Sequence, residues 1–449
     1  MKGVFRSIAR ASLAITGSRV LIKTISFGAL LLITRVLTPY EFGLVSLALT
    51  VSGPVLVLSG LGLDDTVLTF ATRRAASGDR AGANALLAGF AMVKLLLTAV
   101  AIIGLIVVRS SISTVYQGTL STFFFPLLIW IALSSLRTLL DLGVQAKEWF
   151  GWFSAANVVE VLGKLVVVAV LFVGHGMTVG TVLWAYVIGK GISVLFVLPG
   201  ARVFAPTTGV GAAVHAVLLL LRREGKWETA RAFANRLLGG IDQWLIALLL
   251  GVEQVAVFSI ALSMSSILGQ ALPFRQILLP ILGRMSTERG SSAFVSRRIA
   301  KYSLWFYAPL LLGVALAAPL VVPIFFPKYA ASVPIFLFLS LGHLLNSLST
   351  SHGPLIYAHG GQRFLFFVGL LGTVSAVTAL PLLTYVFGMF GTVLEQHLST
   401  SAIIALRERW LWKHTGSRSF VLKDVFTLDG IDRMFMTRIW TGIRARLPL

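Results

Sequence analysis

The sequence contains no cysteine. Disulfides, thiolate zinc sites, iron–sulfur ligation and a cysteine nucleophile are therefore excluded. It is also poor in charge: 12% of residues are Asp, Glu, Lys or Arg, against about 25% in a soluble domain. Acids are the scarcest, with 17 Asp and Glu beside 38 Lys and Arg. No Gly-x-x-x-x-Gly-Lys-Ser/Thr phosphate loop occurs, because Gly163-Lys164 and Gly189-Lys190 are followed by the wrong residues. There is no His-Glu-x-x-His zinc motif and no Gly-x-Ser-x-Gly nucleophile elbow. The seven histidines are scattered, and none is at metal-ligand spacing. No cofactor is implied. Energy for any work must come from an ion gradient, a membrane potential or product removal rather than from ATP.

Apolar residues fill the space that charge leaves. They make up 57% of the chain, with a mean hydropathy of +0.89. A soluble core cannot hide that much apolar surface, so lipid must cover part of it. A span needs about 20 mostly apolar residues. Twelve segments qualify: 18–37, 42–63, 84–108, 121–140, 153–173, 179–199, 230–250, 255–280, 303–323, 332–353, 364–387 and 390–406. The first, seventh and twelfth are the least apolar. The expected fold is an all-α polytopic membrane protein of about twelve transmembrane helices. Residues 1–17 form a basic amphipathic segment, 18–199 a first six-helix bundle, 200–229 a basic cytoplasmic linker, 230–406 a second six-helix bundle and 407–449 a basic amphipathic tail.

The net charge of +21 has two readings. Nucleic-acid binding needs a basic face on a domain, and none exists outside the apolar segments. Basic cytoplasmic loops of a membrane protein fit better. The odd-numbered loops contain only Arg35, Arg109 and Lys328. The N-terminus, the even loops and the tail hold the rest, including Arg73, Arg74, Arg80, Lys147, Arg222, Arg223, Arg284, Arg289, Arg297, Arg298 and Lys301. This pattern places the protein in the cell's inner (plasma) membrane with both termini cytoplasmic. The basic loops and tail are expected to meet anionic lipid headgroups.

The two halves echo each other. Leu37-Thr-Pro-Tyr-Glu-Phe-Gly-Leu-Val-Ser-Leu-Ala-Leu-Thr50 aligns without gaps on Leu250-Gly-Val-Glu-Gln-Val-Ala-Val-Phe-Ser-Ile-Ala-Leu-Ser263. Gly180-Thr-Val-Leu183 and Gly391-Thr-Val-Leu394 repeat at nearly the same offset. Both halves enter the membrane in the same direction. Parallel repeats about an axis along the membrane normal are one transporter plan, with the substrate cleft between the halves.

A charge at the bilayer centre costs at least about 2.5 kcal/mol, so it should face a bundle interior or a wet cavity. Lys23, Lys94, Glu160, Lys164, Lys190, Arg236, Asp242, Arg275 and Glu395 lie inside spans. Cations outnumber anions, which suits an anionic ligand: Arg forks onto phosphate oxygens and Lys acts as a point charge. Lys23, Lys94, Lys164 and Arg275 are the favoured headgroup contacts, with Lys190 as a fifth candidate that could instead snorkel to the interface. Asp242, Glu160 and Glu395 are the candidate proton or sodium couplers. Structural alternatives stand beside these. Glu160 and Lys164 are four residues apart and could neutralise each other. Arg35 and Glu41 could hold a helix connection. Asp64 and Asp65 could clamp Arg73 or Arg74. His343 could make a helix–helix hydrogen bond.

Arg35-Val-Leu-Thr-Pro-Tyr-Glu-Phe-Gly43 and Ser59-Gly-Leu-Gly-Leu-Asp64 close the first two spans. Asp242, Leu250-Gly-Val-Glu-Gln-Val-Ala-Val-Phe-Ser259 and Pro280 take the matching places in the second half. This pattern resembles the oligosaccharide flippases of polysaccharide biosynthesis, over about residues 10–406. Their superfamily includes multidrug exporters and lipid II flippases. The resemblance implies two pseudo-symmetric six-helix bundles around a central cavity. The implied activity moves a polyprenyl-(pyro)phosphate-linked oligosaccharide from the cytoplasmic to the outer leaflet. Implied partners are that glycan and the glycosyltransferases or polymerase of the same pathway. It also matches Lys23 and Arg275, by helix number, to cavity cations of the lipid II flippases. Many relatives have fourteen spans, whereas here a basic tail stands in place of the last pair.

Two other functions compete. A multidrug or small-molecule exporter of the same superfamily would not favour a cation-rich interior. A membrane-embedded glycan polymerase or ligase needs a sizeable outer loop for its catalytic groups, and every predicted outer loop is short.

Overall fold

A computed structural model describes residues 2–115, 123–204, 210–220, 239–269, 291–416, 418–430 and 432–433. Every long element among them is an α-helix. The first half holds α1 (Lys2–Val36), α2 (Pro39–Gly60), α3 (Asp64–Ala76), α4 (Arg80–Val115), α5 (Phe124–Ala146), α6 (Phe150–Val173), α7 (Val179–Val197) and α8 (Val210–Leu220). The second holds α9 (Ile241–Leu250), α10 (Val252–Gly269), α11 (Ser291–Phe325), α12 (Ser332–Ser349), α13 (His352–Ala358), α14 (Gln362–Phe387), α15 (Met389–Thr415) and α16 (Leu422–Phe426). Among the described residues, nine helices are long and apolar enough to cross a membrane. Each coincides with an expected span, and the three expected spans outside this set are the first, seventh and twelfth. They are carried by α1, the described part α9, and α15.

Local chemistry explains where the helices start and stop. Thr38 caps α2 by accepting from the Glu41 amide, while Glu41 Oε2 accepts from the Thr38 amide at 2.9 Å and Pro39 occupies the first turn. This reciprocal box satisfies two orphan donors. It gives Glu41 the structural role of holding the helix connection, while Arg35 is exposed. Thr178 and Thr181 make a similar box at α7. After α2 the chain turns through Leu61 and Gly62, with φ of 50° and 66°, a left-handed turn that glycine eases.

Helix pairing repeats between the halves. The pairs α1–α6, α2–α5, α4–α5, α5–α7 and α6–α7 recur as α9–α14, α10–α12, α11–α12, α12–α15 and α14–α15. The halves meet chiefly where α2 runs along α10. Large apolar side chains such as Val107, Val170, Leu316, Leu320 and Val377 are exposed on the helices around the rim. That is the surface a hydrocarbon solvent requires, and the protein is a polytopic all-α membrane protein.

Two segments differ from their sequence reading. Part of the expected linker is helical. α8 packs on α4, and its Val217 and Leu220 join a core with Leu86, Phe90 and Leu142. Of the expected basic tail, 407–415 simply continues α15. The stretch that follows docks on the protein through its acids. Asp432 is fully buried and accepts from Arg298, Lys301 and the Tyr302 hydroxyl. Asp429 also pairs with Arg298, Asp424 lies 3.6 Å from Arg297, and Trp305 donates to the Val425 carbonyl at 2.9 Å. Ser419 ties the strap to α15 and α13, since its amide donates to Glu408 at 2.8 Å and its hydroxyl sits 2.7 Å from His352 Nε2. The strap thus joins α11, α13 and α15 at one end of the second half. Residues 434–449 lie outside the described residues.

Burial alone would raise the Asp432 carboxyl, but Lys301, the Asp429 amide, Tyr302 and Arg298 together hold it well below the usual aspartate range. A depressed carboxyl contributes attachment above its unfolded pKa and loses it as pH falls through the folded value. The strap should therefore stay protected from limited proteolysis equally at about pH 7 and about pH 5, both above the ordinary aspartate pKa. Asp432→Ala leaves Lys301 buried without its counter-charge, a loss of roughly 3–5 kcal/mol for a buried pair. The expected result is local release, with fast cleavage near residue 420 at neutral pH and little change in global unfolding.

Candidate functional site

The intramembrane charges separate into paired and unpaired groups. Lys94 is 2% exposed and pairs with Asp64. The pair fills the space beside Gly60, where an added Cβ would lie 2.6 Å from the Asp64 carboxylate and 3.3 Å from Lys94 Nζ. Asp64 therefore clamps α4 rather than Arg73 or Arg74. Glu160 pairs with Lys190 at 2.5 Å, and Lys190 also sits 5.8 Å from the Trp130 ring centroid. Glu160 is therefore not the partner of Lys164, although the two are one helical turn apart.

Lys23 and Lys164 remain. Among the described residues, no carboxylate lies within ion-pair distance of either. Lys164 lies over the Tyr186 ring, 4.6 Å from its centroid, a contact that stabilises a cation only weakly. Lys23, on α1 of the first half, donates to Ser266 Oγ on α10 of the second at 3.2 Å. Helices α1 and α6 pack along each other. At 1.5 Å per residue Lys164 stands about 14 Å and Lys23 about 20 Å from the helix ends that face the predicted outer side. Both lie within the span, half-buried, with ammonium groups that carry unused donors. Arg275 and Arg236 lie outside the described residues.

A second cluster belongs to the second half. Asp242 Oδ2 accepts from Gln396 at 2.8 Å, and the neighbouring Glu395, 5% exposed, accepts from Ser375 at 2.5 Å. Neither acid has a Lys or Arg partner among the described residues. Asp242 opens on a cleft of about 340 Å³ between α2 of the first half and α9 and α10 of the second, which Thr50, Ser52, Gly53, Gly240 and Gln243 also line. Gln243 bridges its walls, accepting from Thr50 and donating to Ser259 at 3.1 Å. Nearby on α12, His343 joins Ser265 of α10 at 3.0 Å, a helix–helix hydrogen bond.

The sequence reading missed one buried charge network. Arg137, 2% exposed, pairs with Asp141 and donates to Ser193 Oγ at 2.6 Å and Asn157 Oδ1 at 3.2 Å. A span ending at 140 leaves Arg137 in its last turn, where a cytoplasmic arginine is ordinary. The helix instead continues to Ala146 and carries the arginine into the bundle. The usable signal was Asp141, one turn on, which can neutralise it. The carboxamides were missed too, although Gln243 and Gln396 each follow an intramembrane acid directly.

Replacing a paired and an unpaired lysine should give opposite results. Lys94→Ala strands Asp64 and should lower the thermal midpoint of the detergent-solubilised protein by several degrees. Lys164→Ala should leave it within about a degree, since exposed or weakly held charges contribute about 0–1 kcal/mol.

Comparison with known proteins agrees with this architecture. A family model described as polysaccharide biosynthesis protein matches residues 32–334. No curated protein matches the sequence. Solved structures are similar at low identity. A lipid II flippase, MurJ, in an inward closed conformation gives a TM-score of 0.71 at 12% identity, covering 98% of this chain and 94% of that one. An inward-facing multidrug resistance MATE family transporter of the MOP superfamily gives 0.69 at 14% identity, covering 88% and 94%. An outward-facing MATE family transporter gives 0.63 at 14%, covering 91% and 95%. At these identities the likeness establishes the fold.

Proposed function

Because the chain belongs to the polysaccharide biosynthesis protein family, we propose that it is a flippase carrying a polyprenyl-(pyro)phosphate-linked oligosaccharide from the cytoplasmic to the outer leaflet. The observation that carries this reading is the pair of uncompensated cations, Lys23 and Lys164, held within the span on packed helices. An ammonium in a low-dielectric interior attracts a pyrophosphate and repels a cationic drug. Lys23 also reaches across to Ser266, so an anion bound there would touch both halves. Lys94 and Lys190 are held by Asp64 and Glu160, and in this reading they shape the site rather than bind the headgroup. Arg275 remains a proposed contact on the strength of its helix alone.

Passage by alternating access would move one half against the other. Asp242 and Glu395 are the proposed coupling acids, since Glu160 is occupied by Lys190. The setting is the inner membrane, with cytoplasmic termini and anionic lipids at the basic loops, and with the glycosyltransferases or polymerase of the pathway as neighbours. The MATE likeness favours a second reading, a small-molecule exporter of the same superfamily. The sign of the unpaired charges on α1 and α6, Lys23 and Lys164, speaks for the glycan.

Deleting the gene should accumulate lipid-linked glycan on the cytoplasmic face; normal surface glycan, with no redundant transporter, would overturn the proposal. Lys23→Ala and Lys164→Ala should each cut glycan export at least several-fold with folded protein unchanged. Export at the parental rate in both would remove the anion site. Asp242→Asn should abolish the response of export to a collapsed ion gradient, whereas Glu160→Gln should not.

A further inference from the structure

The buried apolar core is shared at one end of the molecule and divided at the other. The largest cluster gathers Leu37, Phe42 and Val45 from the first half with Val255, Phe258 and Phe326 from the second. All lie near the ends of α1 and α11 and the starts of α2 and α10. At the opposite end, among the described residues, each half has its own core. Leu63, Leu86 and Leu142 belong to the first, and Ile299, Ile356 and Leu411 to the second.

The shared end is also where the two copies of the internal repeat meet. Gly43 of the first copy lies against Val252 of the second, so that an added Cβ would stand 2.2 Å from the Val252 carbonyl oxygen. The repeat-equivalent position to Gly43 is Ala256, which is fully buried. Small residues at both places let α2 and α10 cross closely. Beside this crossing, Tyr329 is fully buried against Phe42, with ring centroids 5.9 Å apart, and Phe27 meets Phe326 edge-on at 5.6 Å. Lys328, in the turn between α11 and α12, completes the contact. Its ammonium donates to the carbonyls of Arg35, Val36 and Leu37 at 3.0, 3.3 and 3.2 Å. These are the orphan acceptors at the end of α1, where the helix dipole also favours a cation. A lysine of one half thus caps a helix of the other.

We propose that these contacts are the gate of the predicted outer end: the Gly43–Val252 crossing is its seam, and Lys328 on the α1 terminus is its latch. The inference rests on the alternating-access reading above and assigns to the repeat motif a role in closure. The cap is suited to the task because it is exposed and made of hydrogen bonds to backbone, so it can exchange with water when the halves part. The apolar seam beneath it excludes water while closed. Under the seam lies the Asp242 cleft, with Gly53 about 15 Å along α2 from Gly43.

The absence of native cysteine makes the test clean. Gly53→Cys places a thiol in the cleft without a clash, since the nearest atom to its Cβ is the Gly239 carbonyl at 3.5 Å. A membrane-impermeant maleimide is added to vesicles of each orientation, and labelling is read without any glycan. From the outer side, the otherwise native chain should label at least about tenfold more slowly than a loop cysteine. Lys328→Glu, which sets a carboxylate against three carbonyls, should speed that labelling several-fold, and Gly43→Val should do the same. Equal labelling in the native and Lys328→Glu backgrounds, or labelling of the native chain at the loop rate, overturns the gate. Should Gly43→Val fail to fold, the Lys328→Glu arm decides alone. Gated labelling in a protein that exports no glycan would leave the gate standing and sink the flippase reading instead.

Discussion

An ionised group inside a bilayer needs a counter-charge, a polar cap or water, and most of this molecule's interior is arranged around that need. Lys94 with Asp64, Lys190 with Glu160 and Arg137 with Asp141 each bring two helices or two turns together. Such pairs add little net stability over apolar packing, but removing one member is costly. They fix which helix faces meet and hold the first bundle in register. Against that background the groups left without a counter-ion among the described residues stand out: Lys23 and Lys164 as cations, Asp242 and Glu395 as acids. Among the described residues, these two cations belong to the first half and these two acids to the second.

The two ends of the molecule are built differently. At the predicted outer end the halves share a core and a cap of Lys328 on α1. At the predicted inner end the cohesion is within each half. α8 packs on α4 in the first, and the strap of residues 419–432 binds α11, α13 and α15 in the second. Halves that, among the described residues, share a core at one end only suit rocking motion better than a continuous core would, because packed interiors resist gradual deformation. The strap's acids also cancel a cluster of bases at the start of α11. The positive charge available to lipid headgroups there is therefore smaller than composition suggests.

Pseudo-symmetry is carried by pairing rather than by chemistry. Equivalent helices make equivalent neighbours, yet Thr38 caps α2 whereas Gly251, with φ of 99°, precedes α10. Gly43 corresponds to Ala256, and Glu41 to Gln254. The repeat preserves size where backbones cross and lets polar identity drift.

The fold class, the twelve apolar segments and the repeat are legible in the chain alone, because hydrocarbon selects for span length and composition that can be read locally. Weakly apolar first, seventh and twelfth segments were visible for the same reason. The chain also shows which spans hold charge. Which charges are neutralised depends on the packing of helices, since Glu160 is one turn from Lys164 yet is claimed by Lys190 on the next helix. The tertiary structure likewise drew Arg137 inside by extending α5 beyond its apolar stretch, and turned a tail with basic composition into a strap held by its few acids. Pairing over tens or hundreds of residues depends on helix rotation and depth, and those are set by packing against neighbours that no local window contains.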